Sequence, residues 1–435
     1  MFWFDFNWQI QQLLNLWWWP INLGLLGVLG LLGYFAYKKP AYAVGATLIA
    51  LPTYLLRSTV WLVPLTFLEL CIWVTFFGWL FGSVRQRTLT ANHLYRYRAP
   101  ITLLLAAATI GMLVSPDLRA AAGLWKAYFV EPILFYIVVA NVAAEPKGRN
   151  VVLWSLGLAT LSVSLLGIYQ WFTGFGIAEP GWLSAEHRRV TAMFTSPNAV
   201  GLYLGPVVAL YAGWLLAELK NKKHAALKAA VLLLAILAIA GTSSQGTLLG
   251  LAAAAAFLAF FGWSKKWTAA LLLLATVAVL ALPATRSAAW SLVTFRDPAG
   301  QNRLELLRMS QEYLTSSPSR FLLGGGILGF AKIQNQLRDP LRLEPLLYPH
   351  NIIFNFWLEI GLLGLVAFGW LVVIFFKTGL QRGVKKDWLK LGIMAAMVAI
   401  MTHGLVDVPY FKNDLAVLFW VIIALLPNET LSTRN

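Results

Sequence analysis

Long apolar runs, separated by short polar intervals, recur from one end of this 435-residue chain to the other. Runs of roughly 17–25 such residues let a helix cross the ~30 Å of hydrocarbon in a bilayer. The pattern predicts spans at 20–37, 40–56, 60–82, 99–114, 120–142, 151–173, 193–217, 226–242, 245–262, 267–284, 351–376, 388–407 and 413–426. The run at 40–56 is marginal and that at 413–426 is short, so the reading is twelve or thirteen spans in an all-α polytopic membrane protein. The opening stretch, MFWFDFNWQIQQLLNLWWWP, is rich in Trp and carries neither Lys nor Arg. It reads as an interfacial amphipathic helix over 1–19 rather than a cleavable signal peptide. Ten spans then fill 20–284, a long loop covers 285–350, and the last spans with a cytoplasmic tail occupy 351–435.

Composition agrees, with 59% hydrophobic residues and 20 tryptophans. Basic residues set the orientation. Alternate loops carry Lys38–Lys39, Arg85 to Arg98, Lys147/Arg149, Lys220 to Lys228, Lys265–Lys266 and Lys377 to Lys390, and these are assigned to the cytoplasm. The segments 174–192 and 285–350 then face outward. On this assignment the cytoplasmic side holds 13 Lys and 7 Arg, and the outer side 3 Lys and 11 Arg. Positive-inside bias explains the first group but not the second. A guanidinium is a planar fork suited to bidentate phosphate contacts, so Arg188, Arg189, Arg303 and Arg308 suggest an anionic substrate on the outer face. The plainer reading pairs them with lipid headgroups or with Glu305, Glu312 and Asp339. The net charge of +16 points to membranes and phosphates, and no nucleic-acid motif is present.

Several chemistries lack their residues. Cys71 is the single cysteine, and no Cys/His cluster has zinc spacing. No Asp-x-Asp or Glu-x-Asp pair stands on the outer side to hold magnesium or manganese. Gly324–Gly326 has neither the lysine nor the preceding strand of a phosphate-binding loop. No metal and no cofactor is expected.

Four outer segments remain. In RRVTAMFTSPNAVG, Ser196 and Pro197 read as a helix N-cap and first turn, which leaves Arg188, Arg189 and Asn198 for function. In GTSSQGTLLG, the serines serve a turn and its caps, while Gln245 at the helix start could hydrogen-bond a substrate. In QNRLELLRMSQEYLTSSPSRFLLGGGILGF, Leu304, Leu306, Leu307, Met309, Tyr313 and Leu314 predict an amphipathic helix on the membrane, ended by Pro318 and the glycines. Arg303 lies in its first turn, and Arg308 farther along. In YPHNIIFNFWLEIGLLG, Pro349 predicts His350 at a helix N-terminus, where the dipole favours a neutral ring able to act as a base. Glu359, deeper in that helix, reads as structural, with Lys126 or a Tyr as its partner. His403 and Asp407, spaced i to i+4, fall on one helical face at the outer mouth of a span; they either orient His350 or simply cap and pack.

These marks together resemble the O-antigen ligase and polymerase superfamily of bacterial membrane glycosyltransferases (the Wzy-C, WaaL-type family). The resemblance runs over RVTAMFTSPNAVG, the 302–330 loop, YPHNIIFNFWLEIGLLG and HGLVDVPYFKNDLAVLFW, about half of the chain. Pro-His-Asn followed by Glu-x-Gly-x-x-Gly is its most specific part. It implies a GT-C-like fold acting without metal on undecaprenyl-diphosphate-linked glycans at the outer face of the bacterial inner membrane. The partners it implies are that donor, a glycan or glycolipid acceptor such as a lipid A-core, and membrane lipids. His350 would then activate the acceptor hydroxyl, with Asn351 beside it, and Arg303 would bind the diphosphate. The family's Ser-Arg-Gly is here Ser244-Gln245-Gly246, so a second cation must come from elsewhere, with Arg188 and Arg189 the candidates. A polymerase of the same superfamily, a lipid-linked glycan transporter and a non-catalytic assembly protein are the other readings.

Overall fold

The structure is a computed structural model that describes residues 2–4, 18–60, 63–86, 96–219, 221–266, 268, 298–337, 346–381 and 387–426. It is a helical membrane protein. Its helices are α1 (Trp18–Lys38), α2 (Pro40–Ile49), α3 (Phe67–Gln86), α4 (Arg98–Leu113), α5 (Leu118–Ala143), α6 (Pro146–Thr173), α7 (Pro197–Ala217) and α8 (Lys222–Thr242). They continue as α9 (Gln245–Gly262), α10 (Pro298–Thr315), α11 (Pro318–Leu323), α12 (Gly329–Leu337), α13 (Ile352–Gly379), α14 (Trp388–His403) and α15 (Asn413–Leu425). Among the described residues 7 helices are long and apolar enough to cross a membrane: α3, α5 to α9 and α13. Shorter apolar helices stand at the predicted spans in α1, α2, α4, α14 and α15. The span expected at 267–284 lies outside the described residues.

Two spans begin or end differently from the hydropathy pattern. The run 40–56 stays α-helical only to Ile49; a 3-10 turn over Leu51–Leu55 follows. Strands β2 (Leu56–Val60) and β3 (Val63–Thr66) then form a hairpin, and the next span starts at Phe67 rather than 60. Pro52 and Pro64 explain the interruption, since neither can donate an amide to a helix. Within the stretch expected to be an interfacial helix, Phe2–Phe4 is instead a strand, β1, pairing antiparallel with β2 so that Trp3 faces Arg57. Aromatic side chains favour that pleated setting. Residues 5–17 lie outside the described set.

The centre of the bundle is α7, α14 and α15, whose side chains are almost wholly buried. Helices α7 and α14 touch backbone to backbone: a Cβ on Gly213 would fall 2.4 Å from Gly392 Cα. Small residues at a membrane crossing permit that approach. Buried charges pair with one another. Lys126 Nζ lies 2.9 Å from Glu69 Oε2 and 3.5 Å from Glu131 Oε1, and Trp73 Nε1 donates to Glu131 Oε1 at 2.7 Å. Lys126 opens a π-helical turn, Lys126–Val130, in the middle of α5.

The feature that orders the outer loop is a break inside α13. Ile360 and Gly361 leave helical geometry, Gly361 with φ 74 and ψ 177. The carbonyl of Leu358 accepts Gly325 N–H at 2.7 Å instead of a bond within the helix. The loop from α11 to α12 is threaded into this gap. Trp357 Nε1 donates to Phe321 O at 2.6 Å, and Ile327 N donates to Gly111 O, at the end of α4, at 3.0 Å. Glu359 belongs to the same junction: its Oε2 accepts Leu328 N at 2.6 Å. The partner expected for it, Lys126 or a tyrosine, is thus replaced by backbone amide, and Lys126 is taken by Glu69 and Glu131. Helices α10 and α12 rest on the first half of α13 through Leu306, Met309, Leu314, Phe330 and Ile333. Leu304, expected on that apolar face, is exposed. Pro318 does not merely end α10; Ser317 caps a new helix there, accepting Arg320 N at 3.3 Å.

Gly361→Ala should therefore be costly. Its φ of 74 disfavours any side chain, and the added Cβ would lie 2.5 Å from Leu322 O. We expect a loss of about 2 kcal/mol or more and faster proteolysis of the 318–330 loop. An unchanged melting temperature with an unchanged cleavage rate would show that the break is not a structural requirement.

Candidate functional site

The ends of α7, α8, α9, α13, α14 and α15 meet on one side of the bundle, the side that also receives the 318–330 loop. Helix α13 starts later than Pro349 suggests. Asn351 is its N-cap, its Oδ1 accepting Ile353 N at 3.0 Å and Phe354 N at 3.2 Å. His350 therefore precedes the helix, in a left-handed conformation with φ 50, rather than sitting over the helix dipole. The segment is clamped to the loop after α14. Ile352 N donates to Gly404 O at 2.7 Å, and Asn351 Nδ2 donates to Leu405 O at 3.0 Å.

That clamp brings His350 to Asp407. Nδ1 of His350 lies 3.1 Å from Asp407 Oδ1, which also accepts Val408 N at 2.8 Å. Burial raises the pKa of Asp407. The charge and hydrogen bond of His350, the charge of His403 and the Val408 amide together outweigh it and hold the carboxyl well below the ordinary value. An ionised carboxylate can only accept, so Nδ1 of His350 is the donor and the ring's lone pair falls on Nε2. The imidazole is 30% exposed and Asp407 10%: the ring is open to its surroundings while its partner stays covered.

His403 ends α14 and Asp407 lies beyond the helix, so the two are not the i, i+4 pair on one helical face that their spacing predicts. They still converge, because the turn after α14 folds back. His403 is buried against the first turn of α9, where a Cβ on Gly246 would fall 2.6 Å from its Cδ2. Arg303, half-buried in the second turn of α10, acts electrostatically on His403. His350 and Asp407 are in contact, His403 acts on Asp407 through space, and Arg303 acts on His403. Arg308 is exposed on α10.

The other candidates separate. Arg189 reaches the turn between α8 and α9. Its Nε donates to Thr242 O at 2.9 Å and its NH2 to Asn198 Oδ1 at 3.3 Å. Burial lowers its pKa from the usual guanidinium value. Arg188 turns away, donating to Trp171 O at 2.9 Å and Leu183 O at 3.2 Å, where it closes the end of α6. Ser196 caps α7 as expected, accepting Ala199 N at 3.3 Å. Gln245 is the exposed first residue of α9, one position from the glycine under His403.

Two residues in the site were not read from the sequence. Gln170, buried in α6, accepts Thr191 N at 3.1 Å and donates to Ala192 O at 2.8 Å, fixing the irregular segment that carries Arg189. An amide inside an apolar run was the available signal. Lys412 follows Asp407 on the same loop and acts on it through space; its place among apolar residues in YFKND was the corresponding hint. Among the described residues no three His, Cys, Asp or Glu converge to hold a metal ion.

Residues 230–369 match the family model Wzy_C, described as O-antigen ligase. The matched stretch contains Gln245, Arg303, Arg308, His350 and Asn351, whereas Arg189, His403 and Asp407 lie outside it. No curated protein matches the chain.

Asp407→Asn tests the carboxylate. Because the folded pKa is depressed, its contribution is fully present above the unfolded value of ~3.9 and is lost as pH falls through the folded one. Asn should lower stability by about 1–3 kcal/mol at pH 7. The gap to the native chain should narrow as pH falls below about 4 and the carboxylate takes its proton. A gap that widened in acid would reverse the assignment.

Proposed function

Since the chain belongs to the O-antigen ligase/polymerase family, we propose that it moves a glycan from undecaprenyl diphosphate to an acceptor hydroxyl. The reaction takes place at the outer face of the bacterial inner membrane, with His350 as general base. The observation that carries this reading is the His350–Asp407 pair, 3.1 Å apart, with Arg303 acting through space on His403, which in turn acts on Asp407. A carboxylate on Nδ1 orients the imidazole and raises its basicity, and Nε2 takes the acceptor proton as its oxygen bonds the anomeric carbon. The bond from that carbon to the diphosphate breaks, and the electron pair leaves on phosphate. Fixed guanidinium groups stabilise that developing charge, which is the role we give Arg303. Arg189 is the second cation in place of the family's Ser-Arg-Gly arginine, because it is bonded to Thr242 O beside Gln245. Arg188 holds a loop. Asn351 and His403 support His350 and the α9 turn, and Asn198 steadies Arg189.

The excess of Lys and Arg in the loops at the other end of the bundle supports an outward orientation for this end. A ligase and a polymerase differ here only in the acceptor, and turnover with separate acceptors distinguishes them. A transporter reading gains no support from the buried charges, since Lys126, Glu69 and Glu131 are paired with one another.

His350→Ala should reduce transfer ~10²–10⁴-fold while the melting temperature holds. Native turnover by a folded variant would remove His350 from the mechanism.

Transfer should persist in EDTA, with guanidinium groups carrying the phosphate charge. Activity lost on chelation and restored by magnesium or manganese would contradict this.

The cations are separable by a mutant cycle. Arg303→Ala should weaken donor turnover, and Arg303→Lys should restore only part of it, having the charge without the fork. Arg189→Ala should be damaging in the native background and milder alongside Gln245→Arg. Equal damage in both backgrounds would mean that positions 189 and 245 do not share the phosphate.

A further inference from the structure

A cavity of about 580 Å³ adjoins the site, and the two segments that carry the His350–Asp407 pair form part of its wall. Tyr348 lines it two residues before His350, and Phe411, Lys412 and Asn413 line it just after Asp407. The opposite wall comes from β2, the start of α3 and the first turns of α5, with Arg57, Thr66 and Gly123 among its residues. Nothing in the established family relationship or the mechanism above uses this space.

Its chemistry is that of an anion-accepting sugar pocket. The ammonium of Lys412 lies 5.4 Å from the ring centre of Tyr54 and 5.6 Å from that of Phe194. Among the described residues no carboxylate stands within ion-pair distance of it; Asp414 and Asp407 act on it only through space. Burial lowers the pKa of Lys412, and those two carboxylates partly restore it. Glu69 is the acidic residue lining the cavity, and its oxygens are already engaged: Oε2 accepts from Thr66 N and Lys126 Nζ, each at 2.9 Å, and Oε1 from Asn413 Nδ2 at 3.2 Å. Arg57 adds a second cation, a guanidinium that acts on the Tyr54 hydroxyl through space. Aromatic side chains, Tyr54, Tyr128, Tyr348 and Phe411, supply flat apolar faces of the kind that pack against pyranose rings. The wall thus offers stacking surfaces, hydroxyl and amide donors, and an ammonium that rests on aromatic rings with no carboxylate among the described residues at ion-pair distance.

We propose that this cavity is the acceptor subsite and that it takes an acidic sugar, whose carboxylate or phosphate meets Lys412 and Arg57 while a hydroxyl is directed to His350. The proposal rests on the transfer reaction above and adds to it the class of acceptor. Arg303 does not line this cavity, so the donor phosphate and the acceptor anion are held by different cations.

The test uses the purified full chain in phosphatidylcholine nanodiscs, with binding of 4-methylumbelliferyl β-glucuronide and β-glucoside followed by fluorescence. The glucuronide should bind at least about tenfold more tightly, as one charge-assisted contact warrants. Lys412→Met should abolish that preference, and Lys412→Arg should keep much of it. Gly123→Leu provides a check independent of the charge: no atom lies within 4 Å of its added Cβ, so the side chain should fill the cavity and weaken both sugars. Equal binding of the two sugars by the native chain, or full binding by Gly123→Leu, would overturn the proposal. So would a glucuronide preference that vanishes in phosphatidylglycerol nanodiscs, because the cation would then serve bulk lipid headgroups. Donor hydrolysis by the same native preparation separates the two readings. Donor turnover without a glucuronide preference defeats the acceptor subsite alone, whereas absent donor turnover defeats the transfer reaction itself.

Discussion

A helix broken inside an apolar bundle leaves carbonyls with no partner unless another part of the chain brings donors to them, and in lipid an unmet backbone group costs several kcal/mol. Helix α13 is broken at Ile360 and Gly361; Gly325 N–H is the donor to the freed carbonyl of Leu358, and the Glu359 carboxylate pins the same loop by accepting Leu328 N–H. Everything outside the bundle follows from that repair. Once the 318–330 loop is seated, α10 and α12 have a surface to lie on, and Arg303 is carried to His403. The first half of α13 is then held at the angle that brings Asn351 and His350 to the loop after α14.

The motif Glu-x-Gly-x-x-Gly therefore acts structurally at a site whose chemistry lies elsewhere. Glu359 binds backbone, Gly361 adopts the backbone angle that a side chain would resist, and Gly364 leaves room for Ile360. The three glycines at 324–326 are the complementary half of the junction. Two of them have positive φ, and a Cβ on Gly324 would collide with the carbonyls of Trp357 and Leu358. Residues that resemble a phosphate-binding loop in composition are here a plug.

The electrostatics of the site centre on Asp407. One carboxylate faces His350 by contact and His403 and Lys412 through space. Its burial is tolerable only because those groups surround it, and they in turn keep defined positions because it is charged. Arg189 and Arg188 show how little adjacent sequence positions need share. One side chain joins the end of α8 to the start of α7, and the other closes α6.

The sequence by itself determined the membrane setting and the place of nearly every span, since apolar length and the distribution of Lys and Arg are local properties that a bilayer reads directly. It also singled out His350 and Arg303, because a ring and a guanidinium at the edge of apolar runs have no packing use. The cap at Ser196 follows the same local logic. What it could not determine was who meets whom. The hairpin at 56–66, the start of α13 at Ile352 rather than at Pro349 and the partner of Glu359 depend on chain segments distant in sequence. So do the separation of Arg188 from Arg189 and the contact of His350 with Asp407. Each is decided by which backbone and side-chain polar groups remain unmatched once the helices pack, and that matching exists only in the folded chain.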